Sequence, residues 1–300
     1  MMASQLPPLQ AIRAFEAAAR HASFTRAADE LGMTQAAVSY QIKVLEERIG
    51  TPLFLRKPRQ VALTETGQRL APAITEAFAL IGDAYAAARG GADGLLCIST
   101  VQTFASNWLA RHLGSFQIAH PSLAVKLDTS SHMVDFAREA VDVGIRSGGG
   151  NWPGLATHLL FRADFTPMLS PKLADSIGGV KTPADLLRLP ILDPEDVWWK
   201  GWFVAAGLPP DELARRTGSS MGSQASLGSA AMAGHGVAIL TRALFAAELS
   251  DGRLIQPFHI SGDDGHAYFL VYPESRRNVP KIKAFREWIL DEVARSVGER

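Results

Sequence analysis

The stretch FTRAADELGMTQAAVSYQIKVLEERIG, residues 24–50, decides the fold. Its second half has two faces. Val38, Ile42, Leu45 and Ile49 recur at spacings of four, three and four, the stripe of a helix packed on a core. Ala36, Ser39, Tyr40 and Lys43 recur at helical spacing on the other side, which is small, polar and cationic, with no carboxylate before Glu46. Thr34 stands where its hydroxyl can cap the helix, and Gly50, Thr51 and Pro52 stop it. Upstream, Ser23 caps a shorter helix carrying Ala27, Ala28 and Leu31, and Gly32 ends it with a left-handed turn. Two helices joined by the tight turn LGMT form a helix-turn-helix candidate.

Outward from this pair, Leu9, Ile12, Phe15 and Ala19 make an earlier helix stripe. Downstream, LFLRKPRQVALTETG (53–67) places two short apolar pieces around a turn holding Arg56, Lys57 and Arg59, a small β-wing with cations near its tip. Over residues 1–62 cations exceed carboxylates by three, with Arg26 among them. A helix-turn-helix sets its second helix in the DNA major groove, where polar side chains meet base edges and flanking cations meet phosphates. On chemistry, Gln35 pairs with adenine, Ser39 with several bases, and Lys43 with guanine or phosphate. Ala36 allows close approach and Tyr40 offers a hydroxyl to phosphate. On periodicity alone, a solvated face that reads nothing remains the alternative.

A longer helix is predicted from Thr64 to Arg89, with Leu70, Ile74, Ala77, Ile81, Ala84 and Ala88 at spacings of four and three, broadened by Phe78 and Tyr85. This pattern is a coiled-coil-like seam or a face packed on its own domain. Pro72 predicts a kink, or a start just before it.

Bulk numbers bound the rest. Three hundred residues suggest two or three domains, and the 47% hydrophobic fraction is that of a globular protein. Zero net charge excludes a uniformly basic coat but not a local basic patch. A single cysteine, Cys97, allows no internal disulfide or thiolate metal cage, which fits a reducing cytoplasm. The start lacks a secretory pattern, and no apolar run is long enough to span a membrane.

The chain changes character near residue 90, where RGGADG (89–94) is a plausible hinge. Beyond it LLCIST (95–100), LAVKLDT (123–129), VDVGI (141–145), FTPMLS (165–170) and GVAIL (236–240) read as strands, with room for helices between several of them. That alternation argues for an α/β sheet with parallel pairs.

Residues 8–67 closely resemble the N-terminal domain of LysR-type transcriptional regulators. The resemblance runs without a gap through FEAAARHASFTRAADELGMTQAAVSYQIKVLEERIGTPLFLR and then LTETG. The opening LPPLQAIRAFEAAARH looks most like the branch of glycine-cleavage and β-lactamase regulators. The implied fold class is α+β multidomain, in three parts. These are an all-α winged helix-turn-helix over 1–63, a linker helix for dimerisation with a hinge over 64–92, and a two-lobed α/β domain like periplasmic binding proteins over 93–300. Lobe I would take about 93–166 and 267–300, and lobe II about 167–266. The resemblance implies a cytoplasmic transcription factor, not an enzyme, with no cofactor. Its expected partners are double-stranded promoter DNA, a second copy (dimer or tetramer) and RNA polymerase. The DNA-contacting positions would be Arg26, Thr34, Gln35, Ala36, Ser39, Tyr40 and Lys43, with Arg56 and Lys57 on the wing. Ala36 and Tyr40 depart from the Pro or Ser and the Arg or Gln common in relatives, so the base preference is expected to differ.

The resemblance also implies a small polar or anionic effector in the cleft between the lobes. Ser99, Thr100 and Thr103 lie between a strand and the next helix, and Arg146 and Ser147 at another strand's end. Ser223, Gln224 and Ser226 precede an alanine-rich helix, and Asp135 and Tyr268 fall where some relatives contact effector. Each hydroxyl has a helix cap as its alternative role, and Arg146 is either an anion clamp or a structural ion-pair residue. The GSSMG at 218–222 matches a nucleophile elbow by spacing, but charged DELARRT precedes it rather than a buried strand. The Trp198, Trp199 and Trp202 cluster reads as packing on the lobe II surface or cleft rim. No metal-ligand spacing appears among the eight histidines.

Overall fold

A computed structural model of the chain describes residues 6–57, 60–88, 94–136, 138–214, 216–218 and 220–298. The chain divides into two compact units, one built mainly from residues up to Gly90, the other from Gly91 onward.

The N-terminal unit runs α1 (Leu9–His21), α2 (Phe24–Leu31), α3 (Gln35–Ile49), β1 (Phe54–Lys57), β2 (Gln60–Leu63) and α4 (Glu65–Ala88). The expected caps are in place. Ser23 Oγ accepts from Arg26 N, Thr34 Oγ1 accepts from Ala37 N at 3.1 Å, and Gly32 turns at φ 62°. Val38, Ile42 and Leu45 are buried, but Ile49 is 38% exposed, so the stripe of α3 ends a turn early. The α1 stripe is corrected. Leu9 is 64% exposed, and the core face is Ala11, Ala14, Phe15 and Ala18. Alanines face the neighbouring helices because their small side chains let backbones pack closely, so a search for large apolar residues misplaces that face.

The wing is pinned at its base. Glu46 Oε1, on the last turns of α3, accepts from Leu53 N at 2.7 Å and Phe54 N at 3.3 Å. Thr64 Oγ1 donates to Pro52 O at 2.9 Å and accepts from Gly67 N at 3.1 Å, which starts α4 against the wing. Gly67 is required there, because a Cβ would lie 2.3 Å from Leu53 O. The α4 helix starts well before Pro72 and runs through it. Its two alternative readings divide along its length. Leu70, Ala71 and Ile74 pack on the N-terminal core, whereas Ile81 and Tyr85 are 56% and 65% exposed. The hinge residues 89–93 and Arg59 lie outside the described residues, as do the side chains of Arg56, Lys57, Ala84 and Ala88.

The second unit starts with β3 (Gly94–Thr100). A helical run over 102–119 follows, made of α5 (Gln102–Phe104), a π-helical turn (Ala105–Leu109) and α6 (Ala110–Ala119). Then come β4 (Leu123–Thr129), β5 (Val143–Gly148), β6 (Leu155–Arg162) and β7 (Phe165–Met168). Next are α7 (Pro171–Asp175), α8 (Val197–Ala205), α9 (Gln224–Met232), β8 (Ala238–Thr241), α10 (Ala246–Ser250), β9 (Ala267–Pro273) and α11 (Pro280–Gly298). The five-stranded sheet of lobe I has the order β4-β3-β5-β9-β6. Only β4–β3 and β3–β5 are parallel; β9 pairs antiparallel with both β5 and β6. The expectation of parallel pairs therefore holds for half the sheet. The strand LATHLLFR carries no clean alternation, and AYFLVYP was read only as a crossing segment.

Lobe II is smaller. The antiparallel pair β7–β8 is extended by single bridges Phe165–Gly262, Leu169–Ile255 and Ile191–Val237. Its core buries Phe165, Trp199, Trp202, Phe203 and Ile239, so two of the three clustered tryptophans are interior rather than rim residues. The chain leaves lobe I at Ala163 and returns at His266, and Ala163 N donates to His266 O at 3.1 Å. No described helix is long and apolar enough to cross a membrane.

Candidate functional site

Two surfaces carry chemistry. The first is the outward face of α3. Gln35, Ala36, Ser39, Tyr40 and Lys43 are all exposed, with Tyr40 at 64%, while the opposite face is core. Thr34 caps the helix at the same end. Lys43 pairs loosely with Glu47 at 3.7 Å, both largely exposed, a contact worth little in water. Arg26 is exposed, and its guanidinium donates to His21 O at the end of α1, so it is held in place beside α2. Nearby, Arg20 bridges Glu16 at 2.8 Å and Glu30 at 2.7 Å. The Arg20 guanidinium, with His21 adding to it, holds the Glu30 carboxyl down to about 2.

The second surface is a cavity of about 520 Å³ between the two lobes. Parallel pairing explains its lobe I wall. Register sets Thr100 beside Thr129 and beside Ile145, so the segments that follow β3, β4 and β5 emerge along one edge of the sheet. Val101–Thr103, Thr129–Ser131 and Ser147 line the cavity from there. Tyr268, the β9 partner of Ser147, joins them. Lobe II contributes Asp193, Asp196, Trp198, Gly222, Ser223, Gln224 and Leu227.

Of the expected effector residues, the cavity brings together Thr103, Ser147, Ser223, Gln224 and Tyr268. Thr103 Oγ1 accepts from Ala225 N at 3.0 Å, so it ties lobe I to the first turn of α9 in lobe II. Ser223 caps α9, accepting from Ser226 N at 3.2 Å, and Gln224 Oε1 accepts from Thr241 N at 2.7 Å. Burial pushes the Tyr268 phenol up to about 12, opposed by the nearby Thr241 and Gln224 side chains. Thr241 Oγ1 nevertheless makes no well-aligned bond, so its contact with Tyr268 is loose. A second tie crosses the lobes at Glu248, where the Arg111 guanidinium meets both carboxylate oxygens, one at 3.3 Å. Burial pushes the Glu248 carboxyl up, but Arg111 and Arg253 outweigh it and the net direction is down.

The other five expected effector residues do not line the cavity. Ser99 and Thr100 lie in β3, 1% and 0% exposed, rather than in the loop after it. Arg146 is 3% exposed inside β5. Its guanidinium donates to Ser99 Oγ at 2.7 Å and to the carbonyls of Ser99, Ile145 and His132 at 2.9–3.0 Å. A fork committed to backbone carbonyls is a latch between strands, not an anion clamp. Ser226 turns its hydroxyl to Ser223 Oγ at 3.0 Å, and Asp135 is exposed away from the cavity wall. Ser220, the would-be nucleophile of GSSMG, donates to Asp193 Oδ2 at 2.9 Å and has no strand before it.

Sequence reading missed Asp193, Asp196 and Trp198, which make the lobe II wall acidic and aromatic rather than mostly uncharged. Asp196 caps α8, accepting from Trp198 N at 2.9 Å. Burial pushes its carboxyl up, the Trp198 N–H opposes this, and Asp193 and Asp264 add to the rise. Trp198 stacks on Phe165 with centroids 4.7 Å apart and donates Nε1–H to Asp264 at 2.8 Å. The signal available was the cap pattern DPEDVWW, which marks a helix start but not which cavity it borders.

Known proteins place this architecture. The LysR substrate binding domain family matches residues 89–294, and the family of bacterial regulatory helix-turn-helix proteins of the lysR type matches residues 9–68. The transcriptional activator AmpR of Pseudomonas aeruginosa is 41% identical over 289 residues, 96% of each chain. The glycine cleavage system transcriptional activator of Escherichia coli is 39% identical over 295 residues, 98% of this chain and 96% of that one. A solved effector binding domain of Citrobacter freundii, with three substitutions, is 30% identical with a TM-score of 0.58, covering 67% of this chain and 99% of that one. With a winged helix-turn-helix, a two-lobed domain enclosing a cavity and matches over nearly its whole length, the chain belongs to the LysR family of transcriptional regulators.

Proposed function

We propose that α3 reads operator DNA through Gln35, Ala36, Ser39, Tyr40 and Lys43, and that a small effector bound in the cleft sets how the lobes close. The observation that carries this reading is the division of α3 into a buried apolar face and an exposed polar one, with both helix ends fixed. Arg26, Arg56 and Lys57 would add phosphate contacts. Domain limits near 63 and 92 follow from it, with the exposed part of α4 around Ile81 and Tyr85 as the dimer seam. The regulator would act in the cytoplasm as a dimer or tetramer alongside RNA polymerase, without catalysing a reaction itself. In the cleft, Thr103, Ser223 and Tyr268 are the first candidates for effector contact. The substitutions in the Citrobacter freundii domain change a threonine, a serine and a tyrosine, the same three residue types.

One pair of variants tests both halves. Lys43→Ala should weaken binding to promoter DNA and make its salt dependence shallower by about one counterion, with stability moved by less than about 0.5 kcal/mol. Thr103→Val should leave DNA binding in the absence of effector intact and abolish the effector response. Unchanged footprints for the first, or a normal response for the second, would remove that half of the reading.

A further inference from the structure

We propose that the effector of the cleft carries a protonated amine, seated between Asp193 and Asp196 beside the Trp198 indole. The proposal rests on the cleft being the effector site and adds the charge of what it holds. Three observations carry it. The first concerns the lining itself, which contains two carboxylates and no Lys, Arg or His among the described residues. A ligand entering this space meets uncompensated negative charge on the lobe II side, which repels anions and attracts cations.

The second observation is that the two carboxylates are not used up. Asp193 accepts from Ser220 Oγ and Asp196 from Trp198 N, each through one oxygen. Among the described residues, Asp193 Oδ1 and Asp196 Oδ2 accept no hydrogen bond, and neither residue forms an ion pair. An ammonium has three donors to offer such oxygens and gains further from an adjacent indole. Asp196 is also half-buried, and its carboxyl is pushed up by burial and by Asp193 and Asp264. That environment favours an incoming cation.

The third observation concerns the features expected to attract an anion, which are already committed elsewhere. Arg146 is buried against backbone carbonyls. At the start of α9, the amide of Ala225 is taken by Thr103 and that of Ser226 by Ser223. The opposite wall therefore offers neutral hydroxyls, from Thr103, Ser147 and Ser223, to the other end of the ligand. These features fit an amine or zwitterion with a polar far end and exclude a phosphorylated or polyanionic effector. The cavity volume lies in the usual range for small-molecule sites.

The test uses the full-length protein and paired probes. Free L-amino acids and aliphatic diamines are each compared with their N-acetyl or deaminated counterparts, and inorganic phosphate serves as the anion probe. Binding is read by thermal shift and by tryptophan fluorescence at millimolar concentration. The expected result is that an ammonium-bearing probe raises Tm and its uncharged-nitrogen counterpart does not. Asp193→Asn and Asp196→Asn should each weaken that binding at least about tenfold. Asparagine keeps the α8 cap at 196 and tolerates the positive φ of 48° at 193, so both variants should fold. The unliganded Tm of Asp196→Asn should not fall, because the variant removes a crowded charge; a purely structural Asp196 would lower it. Thr103→Val and Ser223→Ala report on the cleft independently of charge. Suppose probes without an ammonium bind, the Asp variants leave their affinity unchanged or raise it, and Thr103→Val still weakens them. The amine is then wrong and the cleft stands. Binding that survives both cleft variants removes the cleft reading itself, and failure of every ammonium-bearing probe removes the amine.

Discussion

The outward face of α3 and the cleft between the lobes are both polar surfaces, built in opposite ways. The α3 face is assembled from one continuous segment, and every residue on it follows from a helical period and two caps. The cleft draws on short pieces from residue 101 to residue 268, brought together by sheet register and by ties across the lobes. The first surface exists wherever the helix exists. The second exists only when distant segments are correctly latched, so its integrity depends on buried residues that never touch a ligand.

Arg146 is the strongest way to break that contrast. Arg146→Met leaves the Ser99, Ile145 and His132 carbonyls without their buried donors. It should cost about 3–5 kcal/mol of stability in the unit from Gly91 onward, read as an earlier transition in chemical denaturation. A stable variant that merely loses effector affinity would return Arg146 to the role of anion clamp. Glu46→Ala probes the corresponding device in the N-terminal unit. Losing the carboxylate that takes Leu53 N and Phe54 N should cost about 1–3 kcal/mol and loosen the wing, weakening DNA binding while the α3 face stays intact. If promoter affinity is unaffected, the wing does not depend on this anchor. The smallest effect is the acid response of the Arg20–Glu30 pair. Glu30 is held near 2 in the folded chain, against an ordinary 4.5. Its contribution is therefore complete above about pH 4.5 and is lost as pH falls from there toward 2. Glu30→Gln should flatten that part of the stability profile without changing stability's pH dependence at neutral pH.

The same contrast explains what was legible in the sequence. Caps at Ser23, Thr34 and Gly32, the two faces of α3 and the wing are local, and each followed from a few adjacent residues. Strands β3 and β4 were legible because alternation and turn residues bound them. Strands β6 and β9 were not, because β9 is buried on both faces and reads like any apolar run, while β6 lacks clean alternation. In the cleft, hydroxyls after β3 and before α9 were found because strand ends and helix starts are recognisable. Ser99, Thr100 and Arg146 were misplaced by a residue or two of strand length, and one step turns a side chain to the other face of a sheet. Asp193 and Asp196 escaped notice because nothing local to DPEDVWW says that it borders a cavity whose opposite wall lies nearly a hundred residues earlier.

The hydrogen bond from Ala163 to His266 joins the two strands on which the chain passes between lobes. Two separate tethers would let the lobes slide, twist and gape with comparable ease. Two tethers fastened side by side leave one cheap degree of freedom, a swing about the line through the fastening, like a door on a single pin. Closure about such an axis magnifies with distance from it. A ligand that changes a contact near Tyr268 by a fraction of an ångström would displace the far tips of the lobes by considerably more.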